Sequence, residues 1–206
     1  MTILLSDSRV RSIPVTECAE PLVPYDDGVG VPVLVRAGLA VRLDRAQRGL
    51  GPHLRLRIVE GVRDLAVQRR IIETYAATLR AAHPGISSRD LDTLTSRFVA
   101  PVEVAPHVAG AAVDVTLMGP DGVDLDMGTP IDATPEQSAG ACYFDARGLS
   151  ADVRANRRLL GQALGTAGLV NYPTEWWHWS YGDRYWALMT GAPAALYGPV
   201  AAASAA

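Results

Sequence analysis

The sequence predicts an α+β fold in which a small, mainly antiparallel sheet carries helices packed on one side. Three observations lead there: helical and extended patterns are mixed along the chain, they do not follow strict βαβ order, and no internal repeat is visible. The 206 residues, 49% hydrophobic and 20% charged, have an ordinary globular composition and are expected to form a single domain over 1–206. A chain of this length buries roughly 70% of its unfolded surface without disulfides or a structural metal. A metal site in it is therefore expected to serve function.

Each element has its own reason. Residues 1–35, with Pro14, Pro21, Pro24 and Pro32, read as an irregular arm, because proline lacks the N–H that helices and central strands use. Leu39, Leu43, Ala46 and Leu50 recur at helical spacing, and Gly49 and Gly51-Pro52 stop that helix. Residues 54–60, LRLRIVE, alternate like a strand with one buried face. Asp64 is placed to cap a helix running to Leu79 or Arg80, with Leu65, Ile72, Ala76 and Leu79 inward and His83-Pro84-Gly85 as its stop. A short helix follows Ser88. Residues 111–118, AAVDVTLM, are rich in β-branched side chains and read as a buried strand before the Gly119-Pro120-Asp121-Gly122 turn. Ser150 caps another helix, with Leu159, Leu160 and Ala163 inward and Gly168 at its end. Residues 174–182, TEWWHWSYG, are too short and bulky for a helix and are assigned to a strand. The end of the chain, about 192–206, is small-residued and aperiodic and reads as a flexible tail.

Charge and cysteine usage narrow the function classes. The net charge is −3 and the basic residues are scattered, so neither nucleic acid nor an anionic membrane is an expected partner. The N-terminal apolar run, Ile3 to Leu5, has no basic residue before it and is too short for a secretory leader. No run of about 18 apolar residues exists to span a membrane, and a cytoplasmic location is expected. Cys18 and Cys142 stand far apart and read as free thiols.

The chemistry is concentrated in two segments. His107 opens HVAGAAVD, with Asp114 seven residues on, and His178 closes Glu175-Trp176-Trp177-His178. A catalytic zinc ion needs three N or O ligands and one open position, and His107, Asp114 and His178 supply such a set. Zn2+ lowers the pKa of a coordinated water to about 7 and polarises a carbonyl. Glu175, beside a ligand but not needed as one, suits a general base. Because residues three apart on a regular strand face opposite ways, a break at Trp176 or Trp177 is required if Glu175 and His178 are to share one ion. Asp121, Asp124 and Asp126 read as a solvated hairpin loop, the Trp176, Trp177 and Trp179 cluster as core and pocket wall, and His53 and His83 as turn residues.

Five segments in order, EGVRDLAVQ at 60–68, HVAGAAVDVTL from 107, LDMGTPID at 125–132, NRRLL at 156–160 and AGLVNYPTEWWHWSYGD at 167–183, resemble the D-alanyl-D-alanine dipeptidases of the VanX type, a zinc metallopeptidase family. The resemblance spans about residues 54–190, and the arm before residue 50 matches poorly. It implies that His107, Asp114 and His178 bind zinc and that Glu175 is the catalytic base. It further implies that Arg63 stabilises charge on the attacked carbonyl, as a rigid permanent cation can, and that Asp132 holds the substrate's free amino group. The chain departs from the family where a serine substrate contact becomes Ala105, followed by Pro106, and where Gly-Tyr-Arg-Pro becomes Gly61-Val62-Arg63-Asp64. Val62 is expected to leave volume near Arg63, and Asp64 to set a carboxylate beside it. The reading is zinc-dependent hydrolysis of a small peptide, most simply a D-alanyl-D-alanine-like dipeptide. A related zinc amidase or peptidase acting on a secondary metabolite or bulkier peptide, and a zinc-binding protein without turnover, are the alternatives. Oligomeric state is left open.

Overall fold

In the computed structural model, which describes residues 2–200, four strands form one antiparallel sheet in the order β3-β4-β6-β5: β3 (Arg55–Glu60), β4 (Ala112–Met118), β5 (Val170–Asn171) and β6 (His178–Ser180). Strand β4 is buried along its whole length. Its Val113, Val115 and Leu117 join Leu56 and Ile58 of β3 in the main core, together with Leu39 and Leu43 of α2 (Ala37–Gly49) and Leu160 and Leu164 of α5 (Ala151–Thr166). Two helices thus cover one face, as the apolar alternation of β3 and β4 requires. The other face carries Asp114 and Thr116. Helix α3 (Leu65–Ala82), with α4 (Ser88–Thr95) against it, stands across a cavity from that face, so the helices are not all on one side.

The local signals acted as capping chemistry dictates. Asp64 accepts a hydrogen bond from the Ala66 N–H at the start of α3, and Ser150 accepts one from Val153 at the start of α5. Helix α4 begins at Ser88 itself, capped by Ser87. The inward face of α3 is centred on Gln68, Tyr75, Ala76 and Leu79, while Leu65 and Ile72 are only partly buried.

The ends of the chain differ from expectation. The arm over 1–35 contains a helical turn, α1 (Ser8–Ser12), and a ribbon of β1 (Leu22–Tyr25) on β2 (Val33–Arg36). Pro24 is accommodated because it lies exposed in a two-stranded ribbon, where its missing N–H leaves no ladder bond broken within a sheet interior. Residues 192–200 are packed rather than loose. Ala195 bridges Val15, the Cys18 N–H donates to the Leu196 carbonyl at 3.0 Å, and Tyr197 is buried. The rest of the expected tail, 201–206, lies outside the described residues. Both cysteines are free, Cys18 exposed and Cys142 buried. Among the described residues no helix is long and apolar enough to cross a membrane.

Candidate metal centre and active site

Strands β4 and β6 pair so that Asp114 is directly opposite His178, and opposed residues of an antiparallel pair project from the same face. His107 reaches that point from the tight turn that precedes β4, where the Gly110 N–H donates to the His107 carbonyl at 3.1 Å and the Ala111 N–H to Pro106 at 3.0 Å. Gly110 makes the turn possible. Its φ is +67°, and a Cβ there would stand 2.7 Å from Leu22 and 3.1 Å from Val62.

Three donor atoms converge: His107 Nε2 and His178 Nδ1 are 3.0 Å apart, and each lies near Asp114 Oδ1, at 3.3 and 3.2 Å. A tetrahedral ion with bonds of about 2.0–2.1 Å separates its ligand atoms by about 3.3 Å, so the triangle fits one. The hydrogen bonding agrees. His107 Nδ1 lies 2.8 Å from the Gly61 carbonyl and must donate to it, which leaves a lone pair on the inward Nε2. Asp114 Oδ1 is buried and has no hydrogen-bond donor. Lone pairs facing one another in a buried site are unfavourable until a cation stands between them.

Electrostatics follows from one carboxylate serving two imidazoles. Burial works against ionisation of Asp114, but His107 and His178 hold it well below the usual carboxylate range. Burial likewise opposes a charge on His107, yet Asp114 raises it; His178 is lowered by burial and by His107, which outweigh Asp114. The shared carboxylate outweighs burial at His107 but not at His178, so the two rings shift in opposite directions.

The aromatic segment is a strand only at His178–Ser180. Ahead of it run two successive turns, with Glu175 N–H donating to the Tyr172 carbonyl at 2.9 Å and His178 N–H to the Glu175 carbonyl at 3.4 Å, and Trp176 and Trp177 lie in the second. An unbroken strand over 174–182 would have turned Glu175 away. The turns instead bring its Oε2 to 3.8 Å from His178 Nδ1. Burial, then the Asp114 charge, pushes the Glu175 carboxyl well above its ordinary value, which gives it the affinity for a proton that a general base needs.

Arg63 faces the same point, with one guanidinium nitrogen 3.9 Å from Asp114 Oδ2. Its partner is not Asp64, which is exposed and occupied in capping α3. Instead Glu60 takes the guanidinium in two hydrogen bonds, the Nε–H donating to Oε1 at 2.7 Å and the second through Nη2, while Nη1 donates to Gln68 Oε1 at 3.0 Å. Glu60 is available because β3 carries a bulge: Ile58 opposes Val115, and Glu60, not Val59, opposes Asp114. The extra residue turns the Glu60 side chain from the core face to the site face. Neither Glu60 nor Gln68 was singled out from the sequence. The EGVRDLAVQ segment held both, but nothing in its spacing announced a bulge.

Asp132 and Ala105 line the cavity with the ligands, Glu175 and Arg63. Asp132 has φ +63°, a left-handed conformation that costs a non-glycine residue about 1–3 kcal/mol and gathers at functional sites. Burial, then Asp114 and Glu60, raises its carboxyl above the usual value. Val62 does not line the cavity. It packs toward Gly110, and its N–H donates to Leu34 of β2 at 2.8 Å, so its replacement of a tyrosine adds no volume beside Arg63. Trp177 lines the cavity and Trp176 a neighbouring one, while Asp124 pairs with Arg57 on the surface.

The arrangement has known counterparts. A model of the peptidase M15 family, described as D-ala-D-ala dipeptidase, matches residues 75–190, a stretch holding His107, Asp114, Asp132, Glu175 and His178 but not Glu60 or Arg63. A D-alanyl-D-alanine dipeptidase of Synechocystis sp. is 28% identical over 217 residues, covering 85% of this chain and 87% of that protein. One of Enterococcus faecium is 34% identical over 79 residues, 38% of this chain and 37% of that protein. Among solved structures, a mutant of the vancomycin resistance D,D-pentapeptidase VanY in complex with Zn(II) superposes with a TM-score of 0.51 at 14% identity, covering 92% of this chain and 96% of its own. VanYB in complex with D-alanine-D-alanine gives 0.50 at 16% identity, with 90% and 94% covered. Those two likenesses establish a shared α+β fold.

Proposed function

The chain belongs to the M15 peptidase family of D-Ala-D-Ala dipeptidases, and from that premise we propose that it hydrolyses the amide bond of a small D,D-dipeptide with a zinc ion held by His107, Asp114 and His178. The observation that carries the reading is the triangle of buried donor atoms, 3.0 to 3.3 Å on a side, with the Glu175 carboxylate 3.8 Å from one corner. The Zn(II) and D-alanine-D-alanine of the two structural neighbours support it.

When bound, zinc supplies Lewis acidity that polarises the scissile carbonyl and acidifies water to a pKa of about 7. The chain's own residues do the rest. Glu175 accepts the proton of the attacking water and returns it to the leaving amine, a transfer worth about a hundredfold or more in rate. Arg63, held in line by Glu60 and Gln68, places a permanent positive charge beside the carbonyl oxygen as it becomes an oxyanion. Asp132 takes the substrate's ammonium group. Trp177 and the buried ligands keep bulk water out, which strengthens each of these charge interactions.

The test is a hydrolysis screen of the zinc-loaded protein against D,D-, L,D- and L,L-dipeptides. Cleavage of D,D-dipeptides, lost on chelation and restored by zinc, is expected. Zinc-loaded protein that cleaves none of them overturns the reading.

A further inference from the structure

The cavity at the metal centre holds about 530 Å³. D-alanyl-D-alanine, with about a dozen heavy atoms, occupies at most roughly 350 Å³ even if every heavy atom is given the ~30 Å³ share of one liquid water. An ion and its water add little to that, so the family's dipeptide leaves part of the space unfilled. Glu60, Arg63, Asp132, Glu175 and the ligands give the cavity a charged lining, and Leu5, Ile71, Phe98, Val99, Ala100 and Ala105 an apolar one.

This apolar lining is built rather than incidental. Leu5, Ala100, Ala105 and Tyr172 belong to one buried cluster distinct from the main core. The Leu5 N–H donates to Tyr172 Oη at 3.2 Å, Tyr172 O–H donates to the Ser96 carbonyl, and the Ser6 N–H donates to Ser96 Oγ at 2.8 Å, which pins the N-terminal arm across the cavity. Gln68 Nε2 donates to the Ala100 carbonyl at 2.8 Å, tying the apolar wall to the residue that also steadies Arg63. Asp132 lines the cavity together with Asp114, Glu60, Arg63 and His107. A dipeptide whose ammonium is held by Asp132 has its other residue to seat in the same cavity, and Leu5, Val99, Ala100 and Ala105 are the apolar surface offered there to its side chain. There Ala105 offers no hydroxyl to the substrate, only a methyl group.

We propose that the substrate is a D,D-dipeptide whose carboxy-terminal side chain is large and apolar, seated against Leu5, Val99, Ala100 and Ala105, and that Leu5 of the arm is a specificity-determining residue. The proposal rests on the dipeptidase reading above and adds the substrate's second residue. Each methylene placed in a hydrophobic pocket is worth roughly 10–200-fold in kcat/KM, so the effect is large enough to read directly.

The experiment uses the full chain loaded with zinc and five peptides: D-Ala-D-Ala, D-Ala-D-Leu, D-Ala-D-Phe, D-Leu-D-Ala and D-Phe-D-Ala. The expected result is a kcat/KM for D-Ala-D-Leu or D-Ala-D-Phe at least about tenfold above D-Ala-D-Ala, with no such gain for the transposed peptides. Leu5→Trp, which fills the apolar end, should shrink that ratio by at least about tenfold. If that variant does not fold, Leu5→Ala should move the optimum from leucine toward phenylalanine. D-Ala-D-Ala cleaved best, or a gain confined to the transposed peptides, overturns the proposal while leaving the dipeptidase reading intact. No cleavage of any of the five by zinc-loaded protein takes down both.

Discussion

The donor cluster and the rest of the cavity lining are built in different ways. The metal side is made by neighbours: Asp114 and His178 are cross-strand partners on β4 and β6, His107 lies one turn ahead of β4, and Glu175 one turn ahead of β6. The recognition side is assembled from separate parts of the chain, with Leu5 from the arm, Glu60 from a bulge, residues 98–105 from the connection after α4, and Asp132 from a loop in a left-handed conformation. Ligands that ride on strand register keep their geometry while the sheet keeps its pairing. Residues brought together only by long-range packing can be exchanged one at a time, and the departure at Ala105 falls among those.

That contrast is broken or sharpened by graded substitutions. The largest effect is expected on the metal side: His107→Ala, Asp114→Ala and His178→Ala should each lose most bound zinc, because two remaining ligands do not complete a site. Elemental analysis showing full zinc in all three would remove the assignment. Glu175→Gln should retain zinc yet lose at least about a hundredfold in kcat; parental turnover in that variant would make Glu175 a bystander. Glu60→Gln leaves a neutral partner for Arg63. It should lower kcat/KM by about ten- to a hundredfold with zinc content unchanged, since hydrogen bonds to charged groups are worth about 1.5–3 kcal/mol. An unchanged kcat/KM would show that Arg63 needs no support from the bulge.

The smaller effects lie away from the metal. Ala105→Ser should raise kcat/KM for D-alanyl-D-alanine by about tenfold or more through a restored hydrogen bond, and a decrease would show that the wall at Ala105 does not meet the small substrate. Ser150→Ala, at the cap of α5 on the far face of the sheet, should cost about 1 kcal/mol of stability in denaturant unfolding. It should leave kcat/KM for every peptide unaltered. A change in specificity there would mean that the two faces are coupled after all.

What the amino-acid sequence determined by itself was local: the caps at Asp64 and Ser150, the buried strand β4, the turn at Gly119-Gly122, and the residue types of a zinc site in HVAGAAVD and EWWH. These depend on interactions within a few residues, so their patterns are written in the chain. Even the break before His178 was legible, because a period of two cannot place Glu175 and His178 together. The tertiary structure alone decided the rest. The Glu60 bulge depends on how β3 meets β4, which no spacing within β3 encodes. Asp64 looked like the partner of Arg63 through adjacency, but its carboxylate serves the free N–H groups of a helix end, and Glu60 and Gln68 took its place. Pro24 and the small residues of 192–200 looked like loose chain because propensity ignores partners. Each found one, in the β1–β2 ribbon and in Val15, and the arm so anchored puts Leu5 at the cavity. Contacts between residues distant in sequence are set by the closure of the whole core, and so the donor cluster could be read in advance, whereas of the cavity walls Ala105, Asp132 and Trp177 were legible and Leu5, Glu60 and Gln68 were not.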